Sequence, residues 1–320
     1  MIVTVTLNAA IDRTLTVPNF QRGQRHRASA GVTLAGGKGI NVARALKTLG
    51  VPVVATGLVG GATGTRIVEE LTAEAILNDF VRIEGESRTS TAVVDPAGGT
   101  YTEINEWGPA VGEAELEILL DKLRYLTQGA ELVVFAGSLP RDVADDFYAE
   151  AARELTRRHV PVVLDTEGEP LRLGVEVEPF LVSPNQAEAE ALVGQEFHDD
   201  EDFRLALDQI AEMGPRNVLI TTEDGCVALL REERDSRESR SFRAVAPQVE
   251  PVSTVGSGDA LLAAYLAARH AGRTHEESLR SAVATGAAST LEIGAGRFDP
   301  RHAGRLQAGV ALSALDAVEA

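Results

Sequence analysis

The chain is short of the residues that would tie it to several kinds of work. It has a single cysteine, Cys226, in 320 residues, so no internal disulfide can form, which fits a reducing compartment and a cytoplasmic location. Cys226 sits in an apolar, strand-like segment and reads as a buried structural thiol, not a nucleophile. No window approaches the ~18 uninterrupted apolar residues of a membrane span. The opening MIVTVTLNAA has no basic leader before its apolar run, which argues against a signal peptide. Lysine is scarce, occurring only at positions 38, 47 and 122, so the basic residues are nearly all arginine, and the formal net charge is −18. Nucleic acid and anionic membranes are therefore not expected partners, because affinity for phosphate backbones comes from basic clusters. Aromatics make up only 4% of the chain, so the core must be built from Ala, Val, Leu and Ile. No histidine pair or Cys/His cluster has metal-ligand spacing, and no zinc site is expected. A Walker loop, a complete dinucleotide fingerprint and a GxSxG elbow are all missing.

What is present alternates. Short β-rich runs (IVTVTL, VPVVATGLVGG, ELVVFAGS, VPVVLDT, PFLVSPN, NVLITT) are separated by helical stretches near 38–49, 65–74, 112–127, 142–158 and 185–213. Helices near 258–271 and 275–290 and one toward the C-terminus follow. Such alternation predicts an α/β fold, a doubly wound, mainly parallel sheet with helices on both faces. Residues 1–320 read as one domain. Two segments break its rhythm: 12–35 is extended and polar-interrupted, and 87–107 reads as a hairpin with a Pro/Gly turn. Together they predict a small β layer, which beside a ligand site would be a lid. The charge run 231–241, REERDSRESRS, reads as a solvated hairpin tip.

Two glycine turns open helices. In Gly256-Ser257-Gly258-Asp259, free N–H groups at a helix start can form an anion hole. Asp259 there is either a cap or an acid that takes a proton from a substrate hydroxyl. Gly36-Gly37-Lys38-Gly39-Ile40-Asn41 places Lys38 and Asn41 on one face of a first turn, as ligand groups or as an ordinary loop-to-helix junction. Asn185 and Glu188, three apart, could hold water around magnesium or close a capping box. Asn8 and Asp12 follow the first strand, at the edge where α/β sites form. Arg27 and Arg88 fall in the two lid segments, where each grips a phosphate or is simply solvated.

The ordered set, Asn8-x-x-x-Asp12, GGKGINVARAL, ATGLVGGATG, GESRTST, GSLP, SPNQAE and STVGSGD, resembles the ribokinase-like carbohydrate kinases of the phosphofructokinase-B branch over essentially the whole chain. The resemblance implies phosphoryl transfer from Mg-ATP to a phosphorylated ketohexose. Fructose 1-phosphate comes first, with tagatose 6-phosphate and fructose 6-phosphate as alternatives. A sugar-phosphate-binding regulator without turnover is the rival from another class. By resemblance, Asp259 is the general base and Gly256, Ser257 and Gly258 form the anion hole. Asn8, Asp12, Gly36, Gly37, Lys38 and Asn41 make the sugar site. Arg88, Ser138 and Arg27 attend its phosphate, and Asn185 and Glu188 organise Mg²⁺ through water. Asn185, Gly258, the turn Thr222, Glu223, Asp224, Gly225, and Ala284 and Ala288 contact the nucleotide. The resemblance also implies a homodimer through the β lid and a K⁺ ion near Ser253. One departure stands out: Ser183-Pro184-Asn185 replaces a frequent Lys-Pro-Asn, removing a positive charge expected near the nucleotide phosphates.

Overall fold

The computed structural model describes residues 1–231 and 239–315. Strand β1 (Ile2–Thr6) is followed by β2 (Ala10–Thr16), β3 (Ala30–Gly36) and helix α1 (Lys38–Thr48). Next come β4 (Val53–Gly60), α2 (Gly61–Ala73), β5 (Leu77–Ile83), β6 (Arg88–Asp95) and β7 (Thr100–Asn105). The chain then alternates through α3 (Glu113–Leu126), β8 (Leu132–Ala136), α4 (Phe147–Arg157), β9 (Val162–Asp165), α5 (Gly168–Val175) and β10 (Leu181–Val182). Helices α6 (Gln186–Val193) and α7 (Asp200–Glu212) lead to β11 (Val218–Thr222), β12 (Gly225–Arg231) and β13 (Ser239–Val245). Helices α8 (Ser257–His270), α9 (His275–Ser289) and α10 (Pro300–Gln307) precede a last strand, β14 (Ala311–Ala314).

Ten strands form the main sheet in the order β14-β13-β12-β11-β10-β9-β8-β1-β4-β5. From β5 across to β11 every pairing is parallel, and β12, β13 and β14 extend the sheet antiparallel. Side chains alternate between two cores. Leu132, Val134 and Ala136 pack into the cluster shared with α1, α2, α8 and α9, and Val133 and Phe135 into the one shared with α3, α4, α5 and α7. Burial on both faces explains why β8 reads as an unbroken apolar run. Each such Val, Leu or Phe adds about 1.5–3 kcal/mol by leaving water.

A second sheet has the order β3-β2-β6-β7. The 87–107 hairpin is its β6–β7 pair, and β2 runs parallel to β6, from Ala10 opposite Arg88 to Thr16 opposite Val94. The small layer thus begins at Ala10, two residues earlier than the sequence suggests, and takes Asp12 into its second strand.

Four elements differ from the sequence reading, one of them the strand β5, which is not among the runs that read as β-rich. The helix expected over 185–213 is two: Gly194 adopts φ 76° and ends α6, and Asp199 accepts from the N–H groups of Glu201 and Asp202 to start α7. Helix α5 and strand β14 are both short, too short for periodicity to announce them. Residues 232–238 of the charge run lie outside the described residues. Among the described residues no helix is long and apolar enough to cross a membrane.

Candidate active site

The chain leaves β1 for β4 and β5 on one side and returns to β8 on the other, so β1 is the point where the winding of the main sheet reverses. Crevices form at the carboxyl ends of strands at such a point. Here a cavity of ≈ 630 Å³ opens, lined by Thr6 at the end of β1, Gly137 and Ser138 after β8, Asp165 at the end of β9, Ser183 and Asn185 after β10, and Thr221 of β11. The first turns of α1 and α8 form part of its wall, and Asp12, Arg88, Ser90, Glu103 and Asn105 enter it from the second sheet.

Gly256 precedes α8 with φ 75°, and a Cβ there would lie 2.7 Å from the Ala295 Cβ. Only glycine fits both demands. The Ser257 N–H turns back to the Thr254 carbonyl at 3.2 Å. It is therefore spent within the turn, which differs from the expected row of three free donors. Gly258 and Asp259 lie in the first turn of α8, where the helix supplies no carbonyl for their N–H groups. Asp259 is not the cap, since the cap position is Gly256 and no side chain bonds there. Its carboxylate, 6% exposed, accepts instead from Asn41 Nδ2 at 2.8 Å. Burial, reinforced by Asp165, pushes the Asp259 pKa up to about 7 against the pull of Lys38 and the Asn41 bond.

Lys38 Nζ donates to Asp165 Oδ1 at 2.8 Å and to Glu188 Oε1 at 3.3 Å. Burial alone would depress its pKa, but Asp165, Glu188 and Asp259 outweigh that and raise it, so the ammonium is held charged. Asp165 went unnoticed in the sequence, although an acid closing the run VVLD is the signal to look for, since strand ends of this kind line the crevice. Asn185 and Glu188 do close a capping box: Glu188 N–H donates to Asn185 Oδ1 at 2.9 Å and Asn185 N–H to Glu188 Oε2 at 2.8 Å. Both also line the cavity. Among the described residues no group of three or more His, Cys, Asp or Glu could hold a metal directly. With their carboxylate and amide oxygens already engaged, Asn185 and Glu188 suit a hydrated ion better than a stripped one.

On the other wall, Asn8 Nδ2 donates to Ser138 Oγ at 3.2 Å, and Asn8 Oδ1 is buried without a partner. An orphaned acceptor of this kind lining a cavity suits a hydroxyl donor from a ligand. Asp12 packs so closely on Gly36 that a Cβ there would sit 1.9 Å from its Oδ2. Burial raises the Asp12 pKa to about 6, with Arg88 and Arg44 opposing. Arg88 reaches the Asn8 carbonyl at 3.3 Å and Asn105 Oδ1 at 3.4 Å.

Several expected residues are not brought into the cavity. Arg27 is exposed on the β2–β3 connection and is not part of the lining. Gly36 lies behind Asp12. The turn Thr222–Gly225 is knitted to itself and to β13, since the Asp224 carboxylate accepts from Thr222 Oγ1 at 2.7 Å and from Arg243 Nη2 at 2.9 Å. Thr222, Glu223, Asp224 and Gly225 line no part of the cavity. Ala284 and Ala288 are buried in the core cluster between the main sheet and its helices. Ser90, Glu103 and Asn105 join the lining unannounced, placed by strand pairing that no short motif encodes.

The sequence profile described as pfkB family carbohydrate kinase matches residues 2–301. The chain belongs to that family. Among curated pfkB relatives, the 1-phosphofructokinase of Borreliella burgdorferi is 35% identical over 293 residues, covering 91% of this chain and 92% of that protein. The phosphofructokinase-2 of Escherichia coli, solved in complex with fructose-6-phosphate, superposes with a TM-score of 0.85 at 28% identity over 96% of this chain and 98% of that one. An Arabidopsis thaliana ribokinase shares the fold, with a TM-score of 0.70 at 22% identity over 96% and 98% of the two chains. This pfkB kinase is thus a phosphotransferase acting on a carbohydrate alcohol, built on the ribokinase-like α/β fold with a smaller separate sheet.

Proposed function

We propose that this kinase transfers the γ-phosphoryl group of Mg-ATP to a hydroxyl of fructose 1-phosphate, giving fructose 1,6-bisphosphate and ADP. The observation that carries the chemistry is the buried Asp259 carboxylate, held on one oxygen by Asn41 in the first turn of α8, beside N–H groups without helical partners. Asp259 takes the proton of the attacking hydroxyl as its oxygen bonds to the γ-phosphorus and the bond to the bridging oxygen of ADP breaks. The N–H groups at the α8 start meet the charge on the migrating group. Asp12, Asn41 and the orphaned Asn8 Oδ1 hold the sugar hydroxyls, and Arg88 and Ser138 bind the phosphate the sugar already carries.

Seven acids (Asp12, Glu103, Glu106, Asp165, Glu167, Glu188, Asp259) line the cavity against two cations, Lys38 and Arg88. A polyphosphate enters such a field together with its own cation, and Asn185 and Glu188 would hold that Mg²⁺ through water. The ion supplies neutralisation of the phosphate charge when bound. A K⁺ ion with Ser253 among its ligands, a cytoplasmic location and a homodimer paired through the second sheet complete the reading. The second sheet, closing over the sugar, would exclude water as a competing acceptor.

The sugar assignment is supported by the names of the curated relatives, whereas the fructose-6-phosphate held by the E. coli structure favours a second reading, fructose 6-phosphate as substrate. A coupled ADP-release assay comparing kcat/KM for fructose 1-phosphate, fructose 6-phosphate and tagatose 6-phosphate decides. The first is expected to lead by at least about tenfold, the ratio that 1.4 kcal/mol of differential transition-state binding gives. A lead for either 6-phosphate would overturn the substrate and keep the chemistry.

A further inference from the structure

Arg44 lies behind the active site, in α1, and lines no part of the cavity. Its side chain is 4% exposed, an unusual place for a guanidinium unless every donor is met. Here all five are. Nε donates to Glu74 Oε2 at 2.6 Å, Nη2 to Glu74 Oε1 at 3.1 Å and to the Ala35 carbonyl at 2.7 Å, and Nη1 to the Ala295 carbonyl at 3.1 Å and to Asn41 Oδ1 at 3.3 Å. Those acceptors belong to four places that matter to the site. Ala35 is near the end of β3 in the second sheet, and Glu74 follows α2. Ala295 abuts Gly256 at the anion hole, and Asn41 holds Asp259.

The Asn41 contact carries the inference. A carboxamide has an accepting end and a donating end of nearly the same shape, and the groups around it decide which way it points. A guanidinium can only donate, so the end of Asn41 facing Arg44 must be Oδ1. That leaves Nδ2 for Asp259 Oδ2, at 2.8 Å. A donated bond stabilises the ionised carboxylate, the form able to take a proton; an amide turned the other way would accept from the protonated acid and stabilise that form instead.

We propose that Arg44 is a positioning residue which, by fixing the orientation of the Asn41 amide, keeps the general base Asp259 supplied with a donor and ready to accept the substrate proton. The inference rests on Asp259 being the base. The other charged groups that face Asp259 are Lys38 from α1, Asp165 from the end of β9 and Asp12 from β2. None of these bonds to Arg44, but Arg44 helps hold Asp12 ionised, a pull that Arg44→Met removes and Arg44→Lys keeps. The same guanidinium ties β3 to the loop behind Gly256, so it also couples the second sheet to the anion hole.

The test compares the pH dependence of kcat/KM for the wild type, Arg44→Met and Arg44→Lys, with thermal unfolding followed on the same samples. Lysine preserves a charge opposite Glu74 but has no fork to span Glu74 and Asn41 together, so it carries the test even where the methionine variant does not fold. The acid limb of kcat/KM is expected to move up by about one pH unit, the scale of shift that exchanging a donated for an accepted bond gives. The loss should therefore be about tenfold below the limb and should shrink above it. In an Asn41→Ala background, Arg44→Lys should move the limb no further. A limb that stays at its wild-type pH in Arg44→Lys, or an equal further shift on top of Asn41→Ala, overturns the inference. Failure of the underlying reading shows separately: Asp259→Asn with near-normal turnover removes the base itself, whereas an inactive Asp259→Asn alongside an unmoved Arg44→Lys limb sinks the positioning role alone.

Discussion

Strands β8 and β7 deliver residues to the same cavity, yet every residue of β8 is buried and every residue of β7 is exposed. Gly137 and Ser138 follow β8, whose side chains are locked into cores on both faces. Glu103 and Asn105 ride on β7, an edge strand held to the rest of the protein through its pairing with β6. The contrast separates two demands on a kinase. Groups that handle the proton and the migrating phosphoryl need positions fixed to a fraction of an ångström, which close packing provides. Groups that admit and cover a substrate need to move, and lightly packed elements open at low cost. On the proposed function, Asp259, in a helix buried against α9 and α1, would belong to the first kind, and Arg88, at the start of β6, to the second.

The contrast breaks most visibly at Asp259. Asp259→Asn should lower kcat by about 10³-fold, within the range that loss of a general base produces, and turnover within tenfold of wild type would end the distinction. The same change should raise the melting temperature at pH 8. In the wild type the folded-state pKa of Asp259 stands at about 7, above its unfolded value. Its ionised form therefore opposes folding at high pH, and its contribution to stability is fully present only below about pH 4. The gain should vanish when unfolding is followed at pH 4. By the same sign, wild-type kcat/KM should fall as pH drops through about 7, as the base becomes protonated.

Arg88→Ala tests the mobile side. The loss of a charge-assisted bond of about 1.5–3 kcal/mol should raise KM for the sugar phosphate by about 10- to 100-fold, with kcat changed far less and KM for ATP unchanged, in steady-state kinetics with each substrate varied. A kcat loss as large as that of Asp259→Asn would place Arg88 with the fixed machinery. The smallest effect on chemistry is expected at Ile104, 60% exposed on β7 beside the 85%-exposed Trp107. An apolar edge strand of this kind pairs readily with its own copy. Ile104→Glu should halve the mass measured by light scattering while leaving the melting temperature of the monomer close to wild type. A mass that does not change, or that is already a monomer's in the wild type, would overturn pairing through β7.

Much of this was legible in the chain. The glycine turns before α1 and α8, the Asn185–Glu188 box and the alternation of strands and helices are effects that reach over three to eight residues, and short motifs record them. The readings failed where the deciding partner lies far away. Asp165 matters because Lys38, 127 positions earlier, lies 2.8 Å from it. Asp259 is not spent as a cap: its carboxylate accepts from Asn41, 218 positions earlier. The turn Thr222–Gly225 stays outside the cavity lining, with Asp224 engaged by Arg243 of β13, and Ala284 and Ala288 are buried in the core.

Local chemistry alone therefore settled most of the elements, the two helix starts and the family, since turns, caps and periodicity are short-range and written in neighbouring residues. Folding decided which acid is buried beside Asn41, which groups surround it, and which residues reach the cavity. Those outcomes depend on desolvation and on hydrogen-bond partners brought together from distant parts of the chain, and only a packed core can hold them there.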